Sequence, residues 1–275
     1  MLYRFLEAVS VMFWQTTDDM INEEVESVRA RRVILDQLEG GPKTGSELRD
    51  SIRKDMAAQT VRTKGKKKLN PEDFKVTDPK LYFNTKHLEQ AGIISSQKVS
   101  QQRYFEINPK AIHPVRRVLR ISRPIALLTS LSKAEEQRYF VNWIASSKEI
   151  QPKLLYLFID PSELRGASRN LDRYIPDDTK KKWEGVWIDI DPEKSGDTSK
   201  AGEGRIDEVY KQIESVMLEI INDNSVIVDL TQGVPTILAA LSLIAIDYSL
   251  QAIHVYRPRS EEAEVNWIYP RGGIK

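Results

Sequence analysis

SVIVDLTQGVPTILAALSLIAIDYSLQAIHVY, residues Ser225 to Tyr256, decides the fold of this chain. Val226-Ile227-Val228 is β-branched at every position, the composition of a strand covered on both faces. Asp229, Thr231, Gln232 and Gly233 follow as a polar turn, then an alanine- and leucine-rich helix from Pro235 to Tyr248 and a strand from Ala252 to Tyr256. Strand, turn, helix and strand make a parallel βαβ unit, and such sheets bind ligands where strand ends meet the next helix. Short polar side chains and backbone N–H groups there favour an anionic ligand. An ordinary βα turn also prefers Asp, Thr and Gly, so the residues by themselves leave both readings open.

The same alternation extends outward. Arg123-Pro124 opens a strand from Ile125 to Leu128, ending in Thr129-Ser130-Leu131-Ser132. A helix from Lys133 to Ser146, strands Lys153 to Ile159 and Val186 to Ile190, and a helix from Ile206 to Ile221 follow. This order predicts an α/β Rossmann-like domain, a mostly parallel sheet with helices on both faces, with Val265 to Tyr269 added antiparallel at an edge. Ligand contacts come from turns after the strands, so Thr129, Ser130 and Ser132 join Asp229, Thr231, Gln232 and Gly233 as one predicted pocket. Gly233 is expected to let a ligand approach the backbone, and Thr231 to donate its hydroxyl to it, while Asp229 orients the turn. Asp160, Asp189 and Asp191 also fall near strand ends, but Asp160-Pro161 and Asp191-Pro192 read as turns.

Asp229-Leu-Thr231-Gln-Gly233 with its following helix and strand resembles the Asp-x-Thr-[His/Gly]-Gly signature of CARF domains, the CRISPR-associated Rossmann-fold sensors. The likeness covers roughly residues 121 to 275. It implies a cyclic oligoadenylate effector and a role in CRISPR immunity. In many relatives a lysine follows the glycines; here the next residues are Val234, Pro235 and Thr236.

Of 275 residues, 40% are apolar and 29% charged, as in a soluble globular protein, and the length suits two domains. The chain has no cysteine, which excludes disulfides and cysteine-ligated metals and fits a cytoplasmic protein. His87, His113 and His254 have no zinc-site spacing, so no metal is predicted. The net charge of +1 hides an asymmetry, since residues 1–123 hold 23 Lys and Arg against 16 Asp and Glu, and the remainder 18 against 24. One half is built to meet a polyanion.

Met1 to Trp14 is apolar but too short to span a membrane, with Leu2, Phe5, Leu6, Val9 and Phe13 forming an amphipathic stripe. Residues 1–23 are therefore expected to add to a homodimer contact. Residues 24–120 follow with a helical period at Val25, Val28, Val33, Ile34 and Leu38, read as one helix ending at Gly40-Gly41-Pro42. A shorter helix runs to about Ile52, capped by Thr44 or Ser46, and a third opens at Thr77-Asp78-Pro79 and stops at Gly92. Ile94 to Ile107 makes a hairpin.

That order, with Leu88-Glu-Gln-Ala-Gly92 leading into a basic hairpin, resembles the recognition helix and wing of ArsR-like regulators and predicts an N-terminal winged helix-turn-helix. With Leu81, Thr85 and Leu88 facing the core, Lys80, Tyr82, Asn84 and Lys86 are expected on the outer face toward double-stranded DNA, and Lys98, Gln101, Gln102 and Arg103 on the wing. Lys54 to Val76 reads as a long loop, a basic arm or merely a solvated one.

No catalytic constellation emerges. The histidines lack the Arg-x(4 to 6)-His spacing of the nucleases often joined to CARF sensors, and KAGEGR follows a loop instead of a strand. The reading is a homodimeric, ligand-responsive transcription regulator, with a C-terminal sensor domain over 121–275. Two alternatives are a ring nuclease that positions its cyclic substrate with Ser130 or Thr231, and a ligand-independent architectural DNA-binding protein.

The Lys-rich segment generates a test. Replacing Lys66, Lys67 and Lys68 with alanine should make the slope of log affinity against log salt shallower by about 2 to 3. Fluorescence anisotropy of a labelled duplex measures this.

Overall fold

Thr16 starts the described chain by capping a helix, its hydroxyl accepting the Asp19 N–H at 3.1 Å while the Asp19 carboxylate accepts the Thr16 N–H at 3.4 Å. The computed structural model describes residues 16–64, 69–130, 138–159, 177–181, 183–190, 205–257 and 263–268, with 169 and 173. The apolar stripe of residues 2–13 lies outside them. The chain divides into two units, Met1–Ile121 and Ser122–Lys275.

In the first unit, α1 (Thr17–Ser27) and α2 (Arg29–Leu38) replace the single helix expected from Glu24 to Leu38. Val28 separates them with φ −140° and ψ 105°. Its β-branched side chain suits that extended backbone, and the buried positions Ile21 and Val25 pass to Arg31, Ile34, Leu35 and Leu38 across it. Strand β1 (Lys43–Thr44) precedes α3 (Gly45–Lys64), which extends twelve residues past the expected stop at Ile52. No glycine or proline lies between Ser46 and Lys64, so nothing breaks the helix once Thr44 caps it. The first part of the expected loop 54–76 is therefore helical, and Lys66, Lys67 and Lys68 lie outside the described residues.

Helix α4 (Asp78–Gln90) ends at Gly92, whose φ of +71° favours glycine. The antiparallel strands β2 (Ile94–Val99) and β3 (Gln102–Ile107) turn through Ser100, and β1 pairs with β3 to complete a sheet of order β1-β3-β2. Leu48, Ile52, Leu81, Leu88, Ile93 and Ile107 fill the core.

Helix α5 (Ile112–Leu119) closes the unit. Its Arg116 donates to Glu39 at 2.8 Å with both side chains buried, and Arg117 makes a two-pronged pair with Asp18 at 2.6 and 2.7 Å. Burial, with Arg116 and Arg117 nearby, pushes the His113 imidazole down to about 3 and keeps it neutral.

In the second unit the strands are β4 (Ile125–Ser130), β5 (Pro152–Ile159), β6 (Glu184–Asp189), β7 (Ser225–Asp229), β8 (Gln251–Tyr256) and β9 (Glu264–Ile268). The described helices are α6 (Arg138–Ser146), α7 (Asp177–Lys180), α8 (Ile206–Ile220) and α9 (Pro235–Asp247). The sheet order is β6-β5-β4-β7-β8-β9, parallel throughout except for β9. This is an α/β Rossmann-like sheet.

Alternation sends successive strand residues to opposite faces. Leu127, Leu155, Leu157, Ile227, Ile253 and Val255 pack with Phe140, Val141 and Ile144 of α6. Ala126, Leu128, Val226 and Val228 serve the other face, where α9 packs against β4 and β7 and α8 packs on α9. No helix among the described residues is long and apolar enough to cross a membrane.

Replacing Arg116 with leucine should destabilise the first unit by about 3 to 5 kcal/mol, because Glu39 keeps a buried carboxylate without its guanidinium. Denaturant unfolding of the full chain, followed by circular dichroism, reads this loss.

Candidate functional site

The sheet reverses its direction of growth between β4 and β7: β5 and β6 add to one side, β8 and β9 to the other. In parallel sheets ligands bind at such a switch point, at the carboxyl ends of the two neighbouring strands, and here α6 and α9 pack on opposite faces of the sheet. Leu128 pairs in register with Val228, so Thr129 and Ser130 stand beside Asp229 and its turn.

Asp229 is fully buried. Its Oδ2 accepts the Thr129 hydroxyl at 2.6 Å, and its Oδ1 accepts the Thr231 N–H at 3.0 Å and the Thr231 hydroxyl. The Val255 N–H then donates to the Thr231 hydroxyl oxygen at 2.8 Å. Burial pushes the Asp229 carboxyl up to about 6, outweighing the opposing pull of its donors.

Gly233 presses on the end of β4. Its φ is +151°, and a Cβ there would lie 2.7 Å from both Cβ and Oγ of Ser130. Ser130 is itself fully buried, and its hydroxyl has no hydrogen-bond partner among the described residues. Beyond Gly233, Val234 caps α9 and Pro235 occupies its first turn. The first N–H groups of a helix have no acceptor within it, so Thr236 and Ile237 present amides at this edge.

The structure therefore gathers Thr129, Ser130, Asp229, Thr231 and Gly233, with Gln232 half-buried in the turn. Their roles differ from the sequence reading. Thr129 and Thr231 are engaged by the carboxylate, so the Thr231 hydroxyl proton expected to reach a ligand goes to Asp229. Ser130 is the hydroxyl left over. Ser132 lies outside the described residues. Hydroxyl, backbone amides and a helix start can receive an anion's oxygens with neutral donors.

In the first unit, Lys80, Tyr82 and Lys86 lie exposed along α4, and the Lys86 ammonium sits 5.6 Å from the centre of the Tyr82 ring. Lys98, Gln101, Gln102 and Arg103 are exposed on the hairpin, with Lys98 directly opposite Arg103. Asn84 does not join them. It is buried, donates to the Lys80 carbonyl at 2.8 Å and accepts from Arg31 at 3.4 Å. Position 84 is three residues after Leu81 and four before Leu88, on the helix face that those residues bury. Phe83, exposed on the outer face, is the residue that the sequence reading passed over.

Among the described residues no three His, Asp or Glu side chains gather to hold a metal. Neither a protein-family model nor a curated protein matches the chain. Among solved structures it is similar to Csm6 of Enterococcus italicus bound to cyclic hexa-2'-fluoro-hexa-dAMP, at 14% identity and a TM-score of 0.36, over 51% of this chain and 36% of that one. It is also similar to Can2 of Sulfobacillus thermosulfidooxidans in complex with cyclic tetra-adenylate, at 12% identity and a TM-score of 0.36, over 51% and 36% of the two chains. The chain thus spans about a third of the length of either structure.

The Asp229 carboxyl makes stability pH-dependent. Its folded pKa of about 6 exceeds its ordinary 3.8, so this contribution is complete below the lower value and is lost as pH rises through the upper one. The unfolding free energy of Asp229→Asn minus that of the wild type should rise by about 2 kcal/mol between about pH 4 and pH 7. Urea unfolding across that range checks both sign and size.

Proposed function

We propose that the chain is a ligand-responsive DNA-binding regulator whose C-terminal unit is a CARF-like sensor of cyclic oligoadenylate. The observation that carries the sensor reading is Ser130, a buried hydroxyl without a partner among the described residues, facing Gly233 at the switch point of a parallel sheet. An unsatisfied buried hydroxyl costs stability, and a phosphate or ribose oxygen accepted there recovers it. The motif residues Asp229, Thr231 and Gly233 support the nucleotide class: the first two fix the turn, and the third lets its backbone approach.

For the N-terminal unit, the helices α2, α3 and α4 followed by a hairpin, with the short strand β1 after α2 pairing onto that hairpin, support a winged helix-turn-helix. Lys80, Tyr82, Lys86, Lys98, Gln101, Gln102 and Arg103 form its proposed contact to double-stranded DNA. The protein acts as a cytoplasmic homodimer in this reading, with paired recognition helices on half-sites about one helical turn apart.

Calorimetric titration of the full chain with cyclic tri-, tetra- and hexa-adenylate tests the sensor. One of the three should bind, with one ring per two chains, and Ser130→Ala should weaken it about tenfold. No heat from any of them would overturn the reading. Linear products in the cell after titration would instead favour the ring-nuclease alternative, with Ser130 positioning the phosphate.

A further inference from the structure

Three large apolar side chains stand exposed in the first unit among its described residues: Tyr82 at 54%, Phe83 at 64% and Val99 at 52% relative exposure. All three belong to the helix and hairpin on which the exposed cations Lys80, Lys86, Lys98 and Arg103 lie. Exposed apolar side chains on the same helix and hairpin as exposed cations suit a polyanion that carries apolar groups.

The aromatic rings are also held in place. Phe83 and His87 stack with centroids 6.1 Å apart and planes inclined by 7°. His87 Nε2 lies 3.4 Å from a Glu24 oxygen, and Glu24 pairs with the buried Arg31, which reaches Asn84. Residues of α1 and α2 thus brace one flank of α4 from beneath, while Tyr82 is paired with Lys86 beside it. Side chains that are ordered before contact lose less entropy on binding.

Resting on the DNA-binding reading, we infer that Phe83, with Tyr82 beside it, is a specificity-determining residue that reads thymine C5-methyl groups in the major groove. The thymine methyl is the apolar group that the major groove displays, and aromatic or aliphatic side chains contact it. Lys80, Lys86, Lys98 and Arg103 supply attraction to phosphates, which is blind to sequence. Phe83 supplies discrimination by excluding water from a methyl group, and carries no charge with which to hold a phosphate.

The test begins with selection of a preferred duplex from a randomised library by the full-length protein. Anisotropy then compares that duplex with copies in which single thymines are replaced by deoxyuracil, which removes only the methyl. The wild type should lose affinity about fourfold at each contacted position. Phe83→Ala should bind the thymine duplex more weakly and lose that penalty, with an unchanged salt slope, whereas Phe83→Leu should keep part of it. Lys86→Ala should weaken every duplex alike and reduce the slope by about 1. A wild type that binds the selected duplex but is indifferent to deoxyuracil, or a Phe83→Ala variant that keeps the penalty, overturns the inference and leaves DNA binding standing. Failure to bind any duplex at low salt overturns both.

Discussion

One buried carboxylate sets the geometry of the C-terminal sheet. Asp229 has no exposure to water, so its charge must be met by hydrogen-bond donors from the protein. Its three donors come from two residues, Thr129 and Thr231. Thr129 reaches it from β4, Thr231 reaches it from the turn, and Thr231 is in turn fixed by Val255 of β8. Asp229 and Thr231 together tie three adjacent strands at their carboxyl ends. With the turn so held, Gly233 lies against Ser130.

The N-terminal unit uses its charges in two ways. Arg116 with Glu39 and Arg117 with Asp18 tie α5 to segments far away in sequence, while Arg31 with Glu24 links the consecutive helices α1 and α2. Lysines on α4 and cations on the hairpin remain outside. Pairs of this kind add nothing to the net charge, so the unit's excess of cations lies outside them. The bracing pairs are mostly arginine and the exposed face mostly lysine, in keeping with the fork geometry of the one and the solvated point charge of the other.

Much of this was legible in the sequence, for identifiable reasons. Val226 to Val228 is too β-branched for a helix, and the apolar run after Pro235 is too long for a strand, so the βαβ unit could be read directly. Asn84 has an amide that suits a groove contact, but the helical period places it with Leu81 and Leu88 on the buried face, and position outweighs residue type. The break at Val28 and the continuation of α3 past Ile52 are decided by packing and by an absence of breakers, signals weaker than a glycine or proline. The strand order was legible only in part: alternation specifies parallel neighbours, but the reversal between β4 and β7 depends on which edge each crossover returns to. The fate of the Thr231 proton could not be read at all. It depends on Asp229 sharing a buried space with Thr129, and a linear pattern does not express that proximity.

Thr129 and Asp229 bond across a separation of 100 residues. During synthesis β4, β5 and β6 emerge first, and the inner edge of β4 has no neighbour until β7 has followed. At ordinary elongation rates of about 5 to 20 residues per second, that interval lasts roughly 5 to 20 s. Throughout it a strand that is apolar on both faces offers unpaired backbone groups to any passing extended segment. The boundary between β4 and β7 is therefore the place where the nascent chain stays longest open to mispairing.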